Sequence, residues 1–338
     1  RYCSRAQRAF MYLDKNRLKN SSILVCGDLI IDHYVEGVVE RISPEAPVPV
    51  LKKTQSTFKL GGAANVAANC AALGVETFLL AVSGVSSKDY SLKDLLESAN
   101  LKEENILIDE SIRPVIKTRF MADGHHILRV DEEELPQFSP ALIAQLVSRF
   151  EELVQTVDVV VFSDYAKGFF APQVLFHFLD IARRLKKKVL VDPKGIHYQK
   201  YRGCFCIKPN KKEAYKAANC DITTPIEVVS RILLDITDAD HLLITRSAEG
   251  MTLFSAENRP KHVDAFKQDI VDVVGAGDTA LALLAVAISV GLSIEDGMVL
   301  ANVGSSIAVS RQGCVSVTFE ELQERLLDCQ KKLLIAKN

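Results

Sequence analysis

Short apolar runs alternate with longer stretches in which apolar residues recur every three or four positions, and this rhythm organises most of the chain. Residues 23–26, 77–82, 157–162, 188–191, 205–208 and 241–245 are short, nearly unbroken apolar segments, as strands buried on both faces of a parallel sheet require. Between them, residues 140–154, 172–186, 211–218 and 226–235 show the stripe of an amphipathic helix, and 63–73 reads as a helix of small residues. Residues 279–290, TALALLAVAISV, are apolar on nearly every face and predict a helix buried all round. Two stretches break the rhythm. Residues 34–58 and 113–130 alternate with a period of two, as in Val48-Pro49-Val50-Leu51 and Val115-Ile116-Lys117-Thr118-Arg119-Phe120, and a hairpin turn is expected at Asp123-Gly124. The pattern predicts an α/β protein carrying a small antiparallel flap. A detached sheet has an apolar face to cover, over a substrate cleft or against a second copy, so a homodimer through the flap is expected.

Composition narrows the partners. The 338 residues are 48% hydrophobic and 25% charged, enough for one large α/β domain or two smaller ones. Lys and Arg number 41 against 43 Asp and Glu, with no long block of either sign, which argues against nucleic acid or a membrane surface and for a small-molecule ligand. No apolar run reaches the roughly 18 residues of a membrane helix, and the first twenty residues lack the apolar core of a secretory signal, so a cytoplasmic protein is expected. The sequence opens on Arg1, which leaves open that a piece upstream, native or tag, has been removed. Eight cysteines are scattered without paired C-x-x-C spacing, so no zinc cage or disulfide framework is implied; Cys204 and Cys206, alternating with Phe205, are expected to pack in the core.

The run Asp272-Val273-Val274-Gly275-Ala276-Gly277-Asp278 carries the most chemistry. A turn of small residues before a helix leaves backbone N–H groups free for an anion, and the helix adds its positive end. A carboxylate one residue past such a turn could take the proton of a hydroxyl while the turn neutralises charge on a phosphoryl group. Phosphoryl transfer to an alcohol is the reading; the bland alternative is a strand-to-helix connection with Asp278 stabilising the helix start. Parallel strands gather ligands at their carboxyl ends. Polar residues stand there: Asp28 and Asp32, Asp164 and Lys167, Asp192 and Lys194, Asn210 and Glu213, and Thr245-Arg246, all placed for one cleft. Asn210 and Glu213 also have the spacing of a helix cap with its partner at the third position.

Three motifs in order, Gly61-Gly62-Ala63-Ala64-Asn65-Val66-Ala67, Asn210-x-x-Glu213 and the D-V-V-G-A-G-D run, resemble the ribokinase-like (PfkB) carbohydrate kinases along nearly the whole chain. General sugar kinases usually have one more residue between the Gly pair and the Ala-Asn, which leaves open which role falls to Gly61 and which to Gly62. The segments Gly27-Asp28-Leu29-Ile30-Ile31-Asp32, R-I-S-P-E-A-P-V-P-V at 41–50, Lys117-Thr118-Arg119, Leu128-Arg129-Val130-Asp131, Ser163-Asp164-Tyr165-Ala166-Lys167-Gly168 and Val191-Asp192-Pro193-Lys194-Gly195 are similar to the heptose-7-phosphate kinase branch. That branch includes the kinase half of bifunctional enzymes making ADP-heptose for lipopolysaccharide. The resemblance implies a three-layer ribokinase-like sandwich over residues 21–338, after an extension over 1–20, with a lid at about 34–58 and 113–131. About twenty residues follow the helix start at Thr318-Phe319-Glu320-Glu321, too few for an adenylyltransferase domain, which leaves a stand-alone kinase or a fragment.

The roles that follow are those the resemblance implies. Asp278 is the base, with Gly275, Ala276 and Gly277 as the anion hole, and Asp272 orients the turn or a cation. Asp28, Asp32, Asn65 and Asp164, beside Gly61 and Gly62, meet the sugar hydroxyls. Arg41, Lys117, Arg119, Arg129 and Lys167 are candidates for clamping the 7-phosphate. Lys194, Thr245, Arg246 and Gly250 lie toward ATP, Asn302 lines the adenine side, and Asn210 and Glu213 hold Mg²⁺ through water. A monovalent cation such as K⁺ is an open requirement. The expected reaction is Mg-ATP-dependent phosphorylation of the C1 hydroxyl of D-glycero-D-manno-heptose 7-phosphate. Its rivals are a kinase for another sugar or sugar phosphate and a non-catalytic sugar or nucleotide sensor on the same scaffold. A nicotinamide dehydrogenase is disfavoured, because no G-x-G-x-x-G opens the first helix after 23–26.

Overall fold

A computed structural model describes residues 13–256, 258–266 and 269–335, with side chains through Asp328. The chain enters through α1 (Lys15–Lys19) into β1 (Ser22–Gly27), which turns directly into the long pair β2 (Leu29–Ile42) and β3 (Pro49–Gly62). Then come α2 (Ala63–Ala72), β4 (Glu76–Ser83), α3 (Leu92–Ser98), the short β5 (Ile106–Ile108), and the hairpin of β6 (Val115–Ala122) and β7 (His125–Glu132). Helix and strand next alternate through α4 (Pro140–Thr156), β8 (Val159–Ser163), α5 (Pro172–Arg184), β9 (Lys188–Asp192) and β10 (Cys206–Ile207). They are followed by α6 (Lys211–Ala217), α7 (Ile226–Thr237), β11 (His241–Thr245), β12 (Met251–Ser255) and β13 (Asn258–Val263). Three helices close the chain: α8 (Ala276–Ser289), α9 (Ile294–Ala308) and α10 (Phe319–Ile335).

Nine strands form the main sheet in the order β13-β12-β11-β10-β9-β8-β1-β4-β5. From β11 to β5 neighbours run parallel, and β12 and β13 add antiparallel strands at one edge. A second sheet, ordered β3-β2-β6-β7, consists of the antiparallel pairs β2–β3 and β6–β7 joined in parallel along β2 and β6. The turn between β6 and β7 has Asp123 at φ 50° and Gly124 at φ 78°, the double positive φ that a two-residue hairpin demands.

Alternation along β1 explains the three layers. Ile23 and Val25 face a core shared with α2, α8 and α9, while Leu24 and Cys26 face the aromatic core under α4 and α5, where the Phe150 and Phe178 rings stack 4.0 Å apart. Every residue of α8 from Asp278 to Ile288 is buried, as its all-round apolar sequence predicts. Helix starts are set locally: Ser139 caps α4 ahead of Pro140, and Ser293 caps α9.

Several boundaries differ from expectation. The paired strands of the second sheet extend inward to Leu29 and Gly62, because their inner halves are buried and lose the period-two pattern. The N-terminal segment packs into the core from Leu13 onward through Leu13 and Leu18, so it is not an appendage there; residues 1–12 lie outside the described residues. Cys204 and Cys206 are buried thiols, and the described cysteines are all free; Cys3 and the Cys329 side chain lie outside the described part. Among the described residues no helix is long and apolar enough to cross a membrane.

Candidate active site

Two helices begin where β1 and β2 part. Gly62 starts α2 at φ 56°, and a Cβ there would stand 2.5 Å from the Asp28 carbonyl oxygen, so this corner requires glycine. Gly275, at φ 78°, starts α8 in the left-handed region. The Asp272 carboxylate fixes this second corner by accepting the N–H of Val274 at 3.0 Å and of Gly313 at 2.9 Å, which is the orienting role expected for it. Among the described residues no side chain caps the first turn of α8; the Ala276 N–H donates to the Val273 carbonyl at 3.3 Å, and the amides that follow it are left to a ligand or water.

Asp278 sits in that first turn and is only 4% exposed. Its Oδ2 accepts a hydrogen bond from Asn65 Nδ2 at 2.7 Å, and its Oδ1 accepts one from the Tyr165 hydroxyl at 2.5 Å. Burial pushes its pKa up to about 6, a rise that Asp192 reinforces and that Tyr165, Asn65 and Lys208 oppose. A buried carboxylate tuned toward neutrality beside an open helix end has the character of a general base. Lys208, 3% exposed on its side chain, pairs with Asp192 at 2.9 Å, and its Nζ lies 3.8 Å from where a Cβ on Gly277 would be. Burial raises the pKa of Asp192 in spite of that partner.

The loop after β8 is tied down by carboxylates. Asp28 accepts the backbone N–H of Tyr165 (2.7 Å), Lys167 (3.1 Å) and Phe169 (3.0 Å), and burial together with nearby Asp164 pushes its pKa up to about 6. Asp164 accepts the N–H of Ala166 at 2.6 Å, the ammonium of Lys200 at 2.6 Å and the hydroxyl of Tyr201. Both carboxylates, expected to meet sugar hydroxyls, are thus already engaged in shaping the loop.

On the second sheet, register places Lys59, Asp32, Lys117 and Asp131 in one cross-strand row and Thr57, Tyr34, Arg119 and Arg129 in the next, on the same face. Buried Arg119 pairs with Asp32, whose other oxygen accepts from the Cys314 thiol at 3.2 Å. Arg129 forks onto Asp131 at 2.8 and 3.0 Å, and Lys167 pairs with Glu133 at 2.6 Å. Burial holds the pKa of Lys117 below the usual amine value; Asp131 works against this, and Lys167 and Arg129 work with it. Lys117, Arg129 and Lys167 therefore form one basic group. Arg41 does not join it: nine residues beyond Asp32 along β2, it is exposed and about 30 Å of strand away.

The expected nucleotide side divides in two. Asn210 and Glu213 form a reciprocal capping box at the start of α6, with N–H to oxygen distances of 2.9 and 3.0 Å, and Glu213 also pairs with Lys194 at 2.6 Å. Thr245 bridges to Asn210 across the sheet edge. Gly250 and Asn302 meet instead at the end of β13 and the segment after it, with Arg246 held beside Gly250 at the start of β12. Arg246 pairs with Glu249, a Cβ on Gly250 would meet the Val263 carbonyl, and Asn302 donates to the Asp264 carbonyl at 2.8 Å. A cavity of about 490 Å³ lined by α1, Ser289 and Val290 lies at the far end of α8, about 20 Å by helical rise from the turn that starts this helix.

A pfkB family carbohydrate kinase model matches residues 20–321. The chain belongs to the pfkB family of carbohydrate kinases. It is accordingly a phosphotransferase whose acceptor is a sugar hydroxyl. Among its relatives are the bifunctional protein HldE of Trichlorobacter lovleyi, 38% identical over 308 residues, and that of Caulobacter vibrioides, 38% identical over 304. These alignments cover 90% and 89% of this chain but 63% and 62% of the relatives, so the chain spans under two thirds of their length. Arabidopsis thaliana ribokinase complexed with ribose and ATP shares the fold with a TM-score of 0.70 at 16% identity, covering 90% of this chain and 98% of that one. Escherichia coli phosphofructokinase-2 in complex with potassium does so with 0.73 at 18%, covering 91% and 98%.

Four groups at the site escaped the sequence reading in these positions: Tyr165 and Lys208, which touch or face the Asp278 turn, Cys314, which bridges toward Asp32, and Tyr34, whose ring carries Arg119 and Lys59 at 5.3 Å each. Lys208 had a visible signal, a lysine closing an apolar strand. Cys314 had none.

Proposed function

We propose that this kinase transfers the γ-phosphoryl group of ATP to the C1 hydroxyl of D-glycero-D-manno-heptose 7-phosphate, giving the 1,7-bisphosphate on the way to ADP-heptose for lipopolysaccharide. Because the donor is ATP, the reading places the enzyme in the cytoplasm. The observation that carries it is the position of Asp278: a buried carboxylate, its pKa pushed up by burial to about 6, sits in the first turn of α8 and is linked through Cys314 to Asp32 of the second sheet, whose face also carries Lys117 and Arg129. Two anionic groups, a transferring phosphate and a resident sugar phosphate, suit these two surroundings. The R-I-S-P-E-A-P-V-P-V block and the likeness to bifunctional HldE proteins support a heptose phosphate over other sugars.

In this scheme the acceptor hydroxyl approaches Asp278, which takes its proton as the oxygen attacks phosphorus in line. The amides of the 275–277 turn and the Lys208 ammonium stabilise charge on the transferring group. Asn65 orients the carboxylate from its other side. Asn210 and Glu213 suit a water-held Mg²⁺, since they present side-chain oxygens close to Asp192, a carboxylate whose pKa burial raises and Glu213 raises further. Bound there, Mg²⁺ would neutralise the ATP phosphates. Lys117, Arg129 and Lys167 receive the sugar phosphate by exchanging their present carboxylate neighbours for it. All eight residues of edge strand β7 are exposed, including Leu128 and Val130, which supports the second sheet as a dimer contact. Light scattering that reads a monomer for the unaltered chain would remove that contact.

A coupled assay of ADP release over a panel of heptose, hexose and pentose substrates, each with and without phosphate, tests the proposal. Heptose 7-phosphate is expected to exceed every other acceptor in kcat/KM by about a hundredfold, the worth of two charge-assisted contacts. Preference for an unphosphorylated sugar would move the chain to another sugar kinase. Tight sugar binding by calorimetry without ADP would make it a sensor.

A further inference from the structure

We propose that Tyr165 is a positioning residue of the transfer, whose hydroxyl keeps the Asp278 carboxylate ionised and turned toward the acceptor. The inference rests on the reading of Asp278 as the base. Its geometry is direct: the hydroxyl donates to Oδ1 at 2.5 Å while Asn65 donates to Oδ2 at 2.7 Å. A carboxylate oxygen accepts more than one hydrogen bond, so an incoming alcohol can still reach it.

The loop delivering the ring is built for placement. Asp28 gathers the N–H groups of Tyr165, Lys167 and Phe169, Asp164 gathers that of Ala166, and Ala166 stands at φ 55°, where a residue with a side chain is rarely found. Such a turn persists only when its surroundings over-determine it, and such turns concentrate at functional sites. What this one places is the Tyr165 hydroxyl against the base.

The groups around Asp278 come from five elements: Asn65 on α2, Tyr165 after β8, Asp192 ending β9, Lys208 after β10 and Cys314 ahead of α10. Burial and Asp192 favour a protonated Asp278; Tyr165, Asn65 and Lys208 favour the carboxylate. Burial and the neighbouring carboxylates raise the pKa of Tyr165 itself well above its usual value, so it remains a donor throughout the working range and neither gains nor loses a proton in turnover.

The test is Tyr165→Phe in the full chain, read in two ways. Carboxyl ¹³C NMR follows the titration of Asp278, its resonance assigned by its loss in Asp278→Asn. The pH profile of kcat/KM with Mg-ATP and heptose 7-phosphate follows the base in action. Loss of one hydrogen bond to a charged group predicts that both move up by about one pH unit, a roughly tenfold smaller ionised fraction on the acid side, with KM for ATP unchanged. An unmoved carboxyl titration with turnover lowered equally at every pH would show a packing role and overturn the proposal. A moved titration with an unmoved rate profile would leave the tyrosine's hold on Asp278 standing and remove Asp278 as the base. Replacing Tyr165 by 3-fluorotyrosine, which keeps the shape and strengthens the donor, is expected to move both readings to lower pH; a shift upward would count against the proposal.

Discussion

The carboxyl edge of the main sheet and the charged face of the second sheet treat ionic groups in opposite ways. At the main sheet, Asp28, Asp164, Asp192 and Asp278 are buried or nearly so, and their partners are fixed by the backbone or by equally buried side chains such as Lys208. On the second sheet the Arg119–Asp32 pair is buried too, but beside it Arg129–Asp131 is partly exposed, and Arg113–Glu134, just outside the strands, is open to solvent. Exposed pairs of this kind contribute at most about 1 kcal/mol and are readily exchanged, whereas breaking a buried pair costs about 3–5 kcal/mol. One region is thus a rigid reaction centre, and the other, outward of the Arg119–Asp32 pair, an adaptable surface that a charged ligand can enter.

The sharpest break in this contrast is at Asp278. Asp278→Asn should lower turnover at least about a thousandfold, because one group supplies both proton acceptance and alignment, and steady-state ADP release measures it. The same variant should be more stable. A carboxyl whose folded pKa is raised from the usual 3.8 to about 6 destabilises the fold when ionised, by about 3 kcal/mol at pH 8. The gain in the Asn variant should shrink as pH falls through 6 and vanish near pH 4, which denaturant melts at several pH values would show. A variant both inactive and less stable at pH 8 would contradict that account.

Next in size is Lys208→Met, which leaves Asp192 buried without its cation. Stability should fall by about 3 kcal/mol and turnover by about a hundredfold, read by urea melts and initial rates; a change confined to KM would place Lys208 outside the transfer. Smallest is Lys117→Met on the second sheet. It should raise KM for heptose 7-phosphate about tenfold while the melt shifts by less than about 1 kcal/mol. A large stability loss there would erase the distinction between the two surfaces.

How much of this was legible in the sequence follows from the range of each interaction. Signals carried by neighbouring residues survived intact: the Asp123-Gly124 turn, the capping box of Asn210 with Glu213, and the all-apolar α8 each appear where the sequence puts them. Helix and strand ends moved by a few residues, and the edge strands β5 and β13 were not read, one being three residues long and the other mostly exposed; the buried β12 between β11 and β13 was not read either. Contacts over long separations were illegible. Nothing in the sequence around Arg119 says that Asp32 neutralises it, and nothing near Asp28 says that it serves three amides of a loop about 140 residues later. Arg41 shows the same limit in reverse, because a charged residue in a distinctive segment need not share a cleft with its neighbours in that pattern.

The most direct measurement of the central claim is a crystal structure of the chain with a non-hydrolysable ATP analogue and heptose 7-phosphate. The account predicts the C1 hydroxyl oxygen about 3 Å from an oxygen of Asp278, with the γ-phosphate seated on the amides of residues 275–277. A sugar bound with that hydroxyl facing another group, or a nucleotide whose γ-phosphate lies away from the start of α8, would contradict it.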